Sequence, residues 1–167
     1  AGPSLNLSSE LDITHFLTAY AGFSHVWAGI PLAENFIINP GWVYPGNIEP
    51  TTADNVVAGL RAQHMGFIAG AKVFQTKIYE ARTPGYSAGP DIQRNIRTRG
   101  YEVSAGYRRD GIFANVAYAY VDAEIDGKPA DTDLGQYLTT PVGHIITAVA
   151  SYTYAPWGLT VGADAEI

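Results

Sequence analysis

The stretch Arg99–Ala123, RGYEVSAGYRRDGIFANVAYAYVDA, decides how this chain is read. At its centre stands Asp110-Gly111. An Asp-Gly pair supplies the positive φ that a type I′ turn requires, so the flanks Arg99–Arg109 and Ile112–Ala123 are read as a β-hairpin. Before the turn, Tyr101, Val103, Ala105 and Tyr107 share a face opposite Glu102, Ser104, Gly106 and Arg108. After it, Ile112, Ala114, Val116, Tyr118 and Tyr120 oppose Asn115, Ala117 and Ala119. One face is apolar with Tyr at its ends; the other is small and polar. Lipid on the first side and a wet lumen on the second is the direct physical reading.

The same rhythm extends in both directions. Ser4–Leu11 alternates, with Leu5, Leu7 and Leu11 against Asn6, Ser8 and Glu10. Asp12–His15 is read as a short turn into Phe16–Trp27, a strand with aromatics on both faces. Asn55–His64 and Phe67–Tyr79 form a hairpin about Met65-Gly66. His144–Tyr154 turns at Ala155–Trp157 and returns as Leu159–Ile167, where Asp164 and Glu166 fall on one face. Two carboxylates are costly towards lipid, so that face is read as inward. Pro31–Ile38 has room for a short helical turn.

The connections between these strands alternate in length. Tight turns join the hairpins, whereas long polar loops run about Ala28–Ala53, Ala81–Arg94 and Asp126–Pro141. A soluble sandwich has little reason to put every short turn at one end. A transmembrane barrel has one: its periplasmic turns are short and its outward loops long. The expected fold is therefore all-β, an antiparallel transmembrane β-barrel segment of about eight strands, or four hairpins.

Composition agrees. Hydrophobic residues make up 47% of the 167, yet no apolar run reaches the roughly 18 that a spanning helix needs. Tyr is frequent at 11, and Tyr and Trp favour the boundary between membrane and water. Cysteine is absent, which excludes a disulfide framework and a thiolate metal site. A net charge of -6 offers no global attraction to nucleic acid, and none is expected as a partner. The first residues have neither a basic start nor an apolar core of a secretory signal.

Three patches resemble the C-terminal part of the barrel of a TonB-dependent outer-membrane receptor. Tyr20–Glu34, YAGFSHVWAGIPLAE, is similar to a strand-then-loop stretch of that family. Asn47–Arg61, NIEPTTADNVVAGLR, resembles the element leading from a long loop into the next strand. Asn95–Asp126 resembles its Arg-Gly-aromatic-Glu hairpin. Asn39-Pro40 sits where some receptors, the haem-uptake group among them, carry an Asn-Pro box. Trp27-Ala28-Gly29-Ile30 departs from the haem group's Phe-Arg-Ala-Pro, and Thr51 and Val57-Ala58 replace expected Glu positions. The resemblance implies TonB-energised, ligand-gated transport of an iron chelate (siderophore or haem) or similar nutrient across the bacterial outer membrane. It implies a barrel of about 22 strands with an N-terminal plug. On that reading residues 1–167 are a partial barrel domain, a fragment without the plug or the remaining strands, reaching TonB only through that absent plug. Outer-membrane lipid and lipopolysaccharide are further expected partners. The alternative is a self-contained eight-stranded barrel with a structural or adhesive role; the small inward residues favour the slice.

No catalytic set is read here, so the chain is expected not to be an enzyme and to need no cofactor. His15, His25, His64 and His144 are scattered without metal-ligand spacing. Ser24 and His25 fall on opposite strand faces, against a nucleophile pair. Gly85–Gly89, GYSAG, looks like a nucleophile elbow but follows Pro84 in a loop, without a strand-to-helix turn. The first long loop carries Trp42 and Tyr44 beyond Trp27, stacking planes suited to a bulky organic ligand; a self-packed loop with boundary aromatics is the plainer alternative. His25 is a candidate haem or metal contact, or a solvated rim histidine. Arg82, Tyr86 and Arg97 belong to the second loop and its flanks, where cations would concentrate an anionic chelate, touch lipopolysaccharide phosphate, or simply be solvated.

Overall fold

The computed structural model describes residues 2–29, 49–83, 92–130 and 143–167. They form one antiparallel sheet: β1 (Leu5–Thr14), β2 (Leu17–Gly29), β3 (Thr51–His64), β4 (Phe67–Thr83), β5 (Ile92–Arg109), β6 (Ile112–Ile125), β7 (Lys128–Pro129), β8 (Gly143–Tyr154) and β9 (Leu159–Glu166). The order across the sheet is β1-β2-β3-β4-β5-β6-β8-β9, with the two-residue β7 paired to β6. Each long strand thus lies beside its sequence neighbours, the meander of an up-and-down barrel wall. Among the described residues no helix is long and apolar enough to cross a membrane; Ala155–Trp157 is a single 3-10 turn closed by Gly158 in the left-handed region.

The turns follow from local chemistry. At Asp110-Gly111 both φ angles are positive, 52° and 80°, as a type I′ turn requires. Met65-Gly66 repeats the pair at 48° and 90°. Asp126-Gly127 does so at 50° and 76°, turning β6 back into β7 inside what the sequence reads as one undivided loop. The first turn is His15-Phe16, later than the expected Asp12–His15, because Thr14 Oγ1 accepts from the Phe16 and Leu17 backbone N–H groups. That side-chain bond substitutes for a ladder bond and fixes the reversal.

Several strands outrun their expected ends. β3 begins at Thr51 and not Asn55, β4 continues to Thr83, and β5 begins at Ile92 and not Arg99. Polar residues there suggest loop, but ladder pairing uses backbone groups and not side chains, so the strands continue past the apolar band. Pro31–Ile38 and GYSAG at 85–89 lie outside the described residues.

The register settles the faces. One cross-strand row reads Ala19, Leu60, Ala71, Val103, Tyr118, Ile146; the next row along the strands reads Tyr20, Gly59, Lys72, Glu102, Ala119, Ile145. The first belongs to the outer face, the second to the inner. Phe23 pairs Leu7 and Val56 on the outer face, so β2 has a defined side despite its aromatics. Asp164 and Glu166 fall on the inner face through Val149 and Thr147. On the outer face Val73, Val103 and Val116 are 58%, 46% and 56% exposed, while Glu102, Ser104 and Asn115 on the inner face are half-buried. A sheet curled towards its polar side produces this inversion.

Among the described residues there is almost no core: the buried apolar ones are Ala81, Val121, Ala123, Ile125 and Ala130, and of these Ile125 alone is sealed at 1% exposure. Ala123, Ile125 and Ala130 pack with Ile96 into a small cluster at the loop end. A water-soluble domain could not leave so many large apolar side chains uncovered. In hydrocarbon they are solvated by lipid, as the outward band of a membrane barrel requires.

Candidate functional site

The inner face carries the polar groups that a solute inside the barrel would meet. Across β2, β3 and β4 runs a hydrogen-bonded ladder: Asn55 Nδ2 donates to Ser24 Oγ at 3.1 Å, and Thr76 Oγ1 donates to Asn55 Oδ1 at 2.8 Å. Strand alternation puts all three on one side, and direct cross-strand pairing brings them within reach. Nearer the turn end, Arg61 and Glu10 form an ion pair at 2.6 Å, and Lys72 and Glu102 one at 2.9 Å. All four side chains are a third or more exposed, so these pairs contribute little stability and leave charge available on the wall.

Hollows indent this face among the described residues. One, of 470 Å³, is lined by Thr18, Arg61, Gln63, Gly70, Ser104 and Asn115. Another, of 420 Å³, sets Lys72 and Glu102 among Val57, Phe74, Val121 and Ile145. Glycine makes the wall thin at two points. A Cβ on Gly59 would stand 2.6 Å from the Tyr20 ring and 2.6 Å from the Ala71 carbonyl oxygen, and one on Gly100 would stand 2.8 Å from Phe74. Each aromatic ring therefore lies flat across a glycine of the adjacent strand, covering its backbone.

The candidates read from sequence separate into two groups. His25, Trp27 and Arg97 lie on the outer face at its loop end. His25 pairs Leu5 and Asp54, with Nδ1 2.6 Å from Asp54 Oδ1. Trp27 is opposite Thr52, and its backbone N–H donates to Ser4 Oγ. Arg97 is opposite Lys77 and Glu124, and its guanidinium holds Gln75 Oε1 at 3.0 and 3.1 Å. These three therefore do not share the inner wall with the Ser24–Asn55–Thr76 ladder; one residue of strand phase separates the two sides. Ser24 turns inward as its neighbour His25 turns outward, the opposition that alternation predicts. Arg82 is placed by its backbone, opposite Gln93. Trp42, Tyr44 and Tyr86 lie outside the described residues.

The inner-face ladder and the Lys72–Glu102 pair went unread in the sequence. Their signal was available only as cross-strand register, which a single strand does not carry. Among the described residues, no three His, Asp or Glu side chains converge as a metal site would need.

At the loop end, Asp126 caps the start of the β6–β7 turn. Its carboxylate accepts from the Asn95 backbone N–H and from Arg94 Nη1, both at 2.9 Å. The Asn95 N–H is the main cause that holds this carboxyl below the ordinary Asp range; burial opposes it, and the hydrogen bond and charge of Arg94 add to the lowering.

Comparison with known proteins places this geometry. The family described as TonB dependent receptor-like, beta-barrel, matches residues 2–165. No curated protein matches the chain. Among solved structures, the FrpB iron transporter from Neisseria meningitidis (F3-3 variant) superposes with a TM-score of 0.68 at 16% identity over 98% of this chain. The F5-1 variant in its apoprotein form gives 0.69 at 18% identity, also over 98%. At such identities the likeness is one of fold. The chain spans 26% of the length of each of those structures.

Proposed function

The chain belongs to the TonB-dependent receptor-like β-barrel family, and from that premise we propose that it forms part of the wall of an outer-membrane receptor importing an iron chelate, siderophore or haem, or a comparable nutrient. The family is one of transporters and not of enzymes. The observation that carries the reading is the two-sided sheet. An uncovered apolar outer face suits lipid, and an inner wall of Ser24, Asn55, Thr76, Lys72 and Glu102 suits a wet passage. The fold it shares with transporters described as carrying iron supports the choice of cargo.

In this proposal Trp42, Tyr44 and Tyr86 meet the ligand from the loops, and Arg82 from the loop end of β4. His25, Trp27 and Arg97 are left out of the ligand set because the register turns them to the outer side. Energy arrives from TonB through a plug. The competing eight-stranded closed barrel is less well supported. Among the described residues β1 and β9 stand at opposite ends of the strand order, as in a slice of a larger wall.

The test is uptake. A strain lacking the gene, starved of iron, should fail to grow on one ferric chelate or haem source and recover with the gene but not in a TonB-deficient background. Equal growth of the deletion strain on every chelate, and TonB-independent rescue, would discard the transport reading.

A further inference from the structure

Charged groups and neutral hydrogen-bonding groups take opposite sides of the sheet towards its loop end. At that depth Asp54, Lys77, Arg97, Arg99, Asp122 and Glu124 all stand on the outer face. The inner rows there are neutral. One reads Ser24, Asn55, Thr76, Thr98, Ala123. The row above it reads Val26, Ala53, Ile78, Ile96, Ile125, and the row beneath it Gly22, Val57, Phe74, Gly100, Val121. Two ion pairs border these rows, Lys72 with Glu102 below and Arg94 with Asp126 above, each closed at 2.9 Å.

The middle row is a directed ladder. Thr76 Oγ1 donates to Asn55 Oδ1, and Asn55 Nδ2 donates to Ser24 Oγ. An amide has two N–H donors and a hydroxyl has one O–H. Among the described residues, one N–H of Asn55 and the O–H of Ser24 are therefore uncommitted, side by side on adjacent strands. Val57 and Phe74 stand two residues from Asn55 and Thr76 on the same strands, about 6.6 Å away. They wall the 420 Å³ hollow together with Ala119, Val121 and Ile145. That volume falls in the range of small-molecule pockets, about 300–1,000 Å³. Neutral donors thus lie at the lip of a largely apolar hollow of ligand size.

We propose that ladder and hollow form one subsite for an uncharged ferric chelate of the trihydroxamate class. Its amide and hydroxamate oxygens accept from Asn55 and Ser24, and its methylene arms fill the hollow against Val57, Phe74 and Ile145. A trihydroxamate cancels the ferric charge, whereas a tricatecholate leaves the complex strongly anionic and haem carries its carboxylates. An anion entering this hollow gives up water and meets cations already bound to carboxylates, which makes its burial costly. A neutral chelate bears no such cost, and its oxygens need only the neutral donors that the ladder offers. This inference names a cargo for the transport reading and rests on it.

The test uses the full-length protein carrying this chain, purified in mild detergent and titrated calorimetrically with a cyclic ferric trihydroxamate, a cyclic ferric tricatecholate and haem. The heat-shifted gel band reads folding. The trihydroxamate should bind about ten-fold more tightly than either anion. Asn55→Leu should weaken its binding about ten-fold, and Val57→Trp should weaken it by filling the hollow. Gln75→Ala, beside Thr76 but on the outer face, should leave it unchanged. Where Asn55→Leu does not fold, Thr76→Val should still weaken binding several-fold. Asn55→Lys should shift the affinity ratio towards the tricatecholate by about ten-fold, a change that damage to the wall alone does not produce. Tighter binding of the tricatecholate or haem, or undiminished binding by the folded variants, would overturn this assignment and leave TonB-dependent import standing. Binding of none of the three probes would overturn it too, and the growth assay then decides import separately.

Discussion

Val103 and Ser104 are adjacent in sequence and stand on opposite faces of β5, which makes them a direct test of which side meets lipid. On the outer face of this strand, Arg99 and Arg109 bracket Tyr101, Val103, Ala105 and Tyr107. Ten residues at about 3.3 Å each, on a strand tilted by roughly 40°, cover about 25 Å along the barrel axis. That is the height of the apolar band of a membrane barrel, about 25 Å, and Val103 lies within one residue of its middle. Replacing Val103 with Arg should therefore cost about 2–4 kcal/mol. In equilibrium terms that is roughly 30- to 700-fold. Ser104→Arg should cost less than about 1 kcal/mol, because Ser104 borders the 470 Å³ inner hollow, where the guanidinium keeps water. The assay is guanidinium unfolding of the full-length protein in phospholipid vesicles, followed by tryptophan fluorescence and by the heat-shifted band. Equal costs at the two positions, or the larger cost at Ser104, would refute the assignment of faces and with it the lipid-exposed band.

Three further outcomes are expected. Gly59→Ala should lose about 1–3 kcal/mol by overpacking, and Tyr20→Ala should restore only part of it, since the Ala71 carbonyl also obstructs a Cβ; unfolding midpoints of the three variants decide this. Lys72→Met and Glu102→Gln should each cost under about 1 kcal/mol, with a double-mutant coupling in the same range, because the pair is more than a third exposed. The Asp126 carboxyl has a folded-state pKa below its unfolded value, so its contribution is present above the unfolded value near 4 and is lost as pH falls through the lower folded one. Protection of the β6–β7 hairpin amides, taken as the exchange rate relative to the intrinsic rate at each pH, should accordingly fall as pH drops from about 5 into the acid range, and Asp126→Asn should flatten that dependence.

Much of the wall was legible residue by residue. Asp110-Gly111 specifies its own turn, since the residues themselves supply the positive φ. Alternation in Tyr101–Tyr107 specifies two faces because side chains change sides at every residue. What polarity misjudged were strand ends: Thr51–Asp54 and Gln93–Thr98 look like loop but continue the ladder. The Asp126-Gly127 reversal uses the same Asp-Gly pair as Asp110-Gly111, but it stands in a polar stretch whose alternation does not mark the short β7 strand after it.

The candidate site was less legible. His25, Trp27 and Arg97 attract attention by chemical type, and type says nothing of side when a strand carries aromatics on both faces. Pattern within one strand fixes which residues face together; only pairing between strands fixes which of those sets belongs to the common inner wall. Tertiary structure therefore decided that Ser24, Asn55 and Thr76 form one ladder, that Lys72 meets Glu102, and that Lys77 confronts Arg97. The sequence by itself determined that the chain would make hairpins with one apolar side, because turn chemistry and alternation are local. Which groups meet across the sheet depends on register, a property shared between strands distant in sequence and held by no one of them.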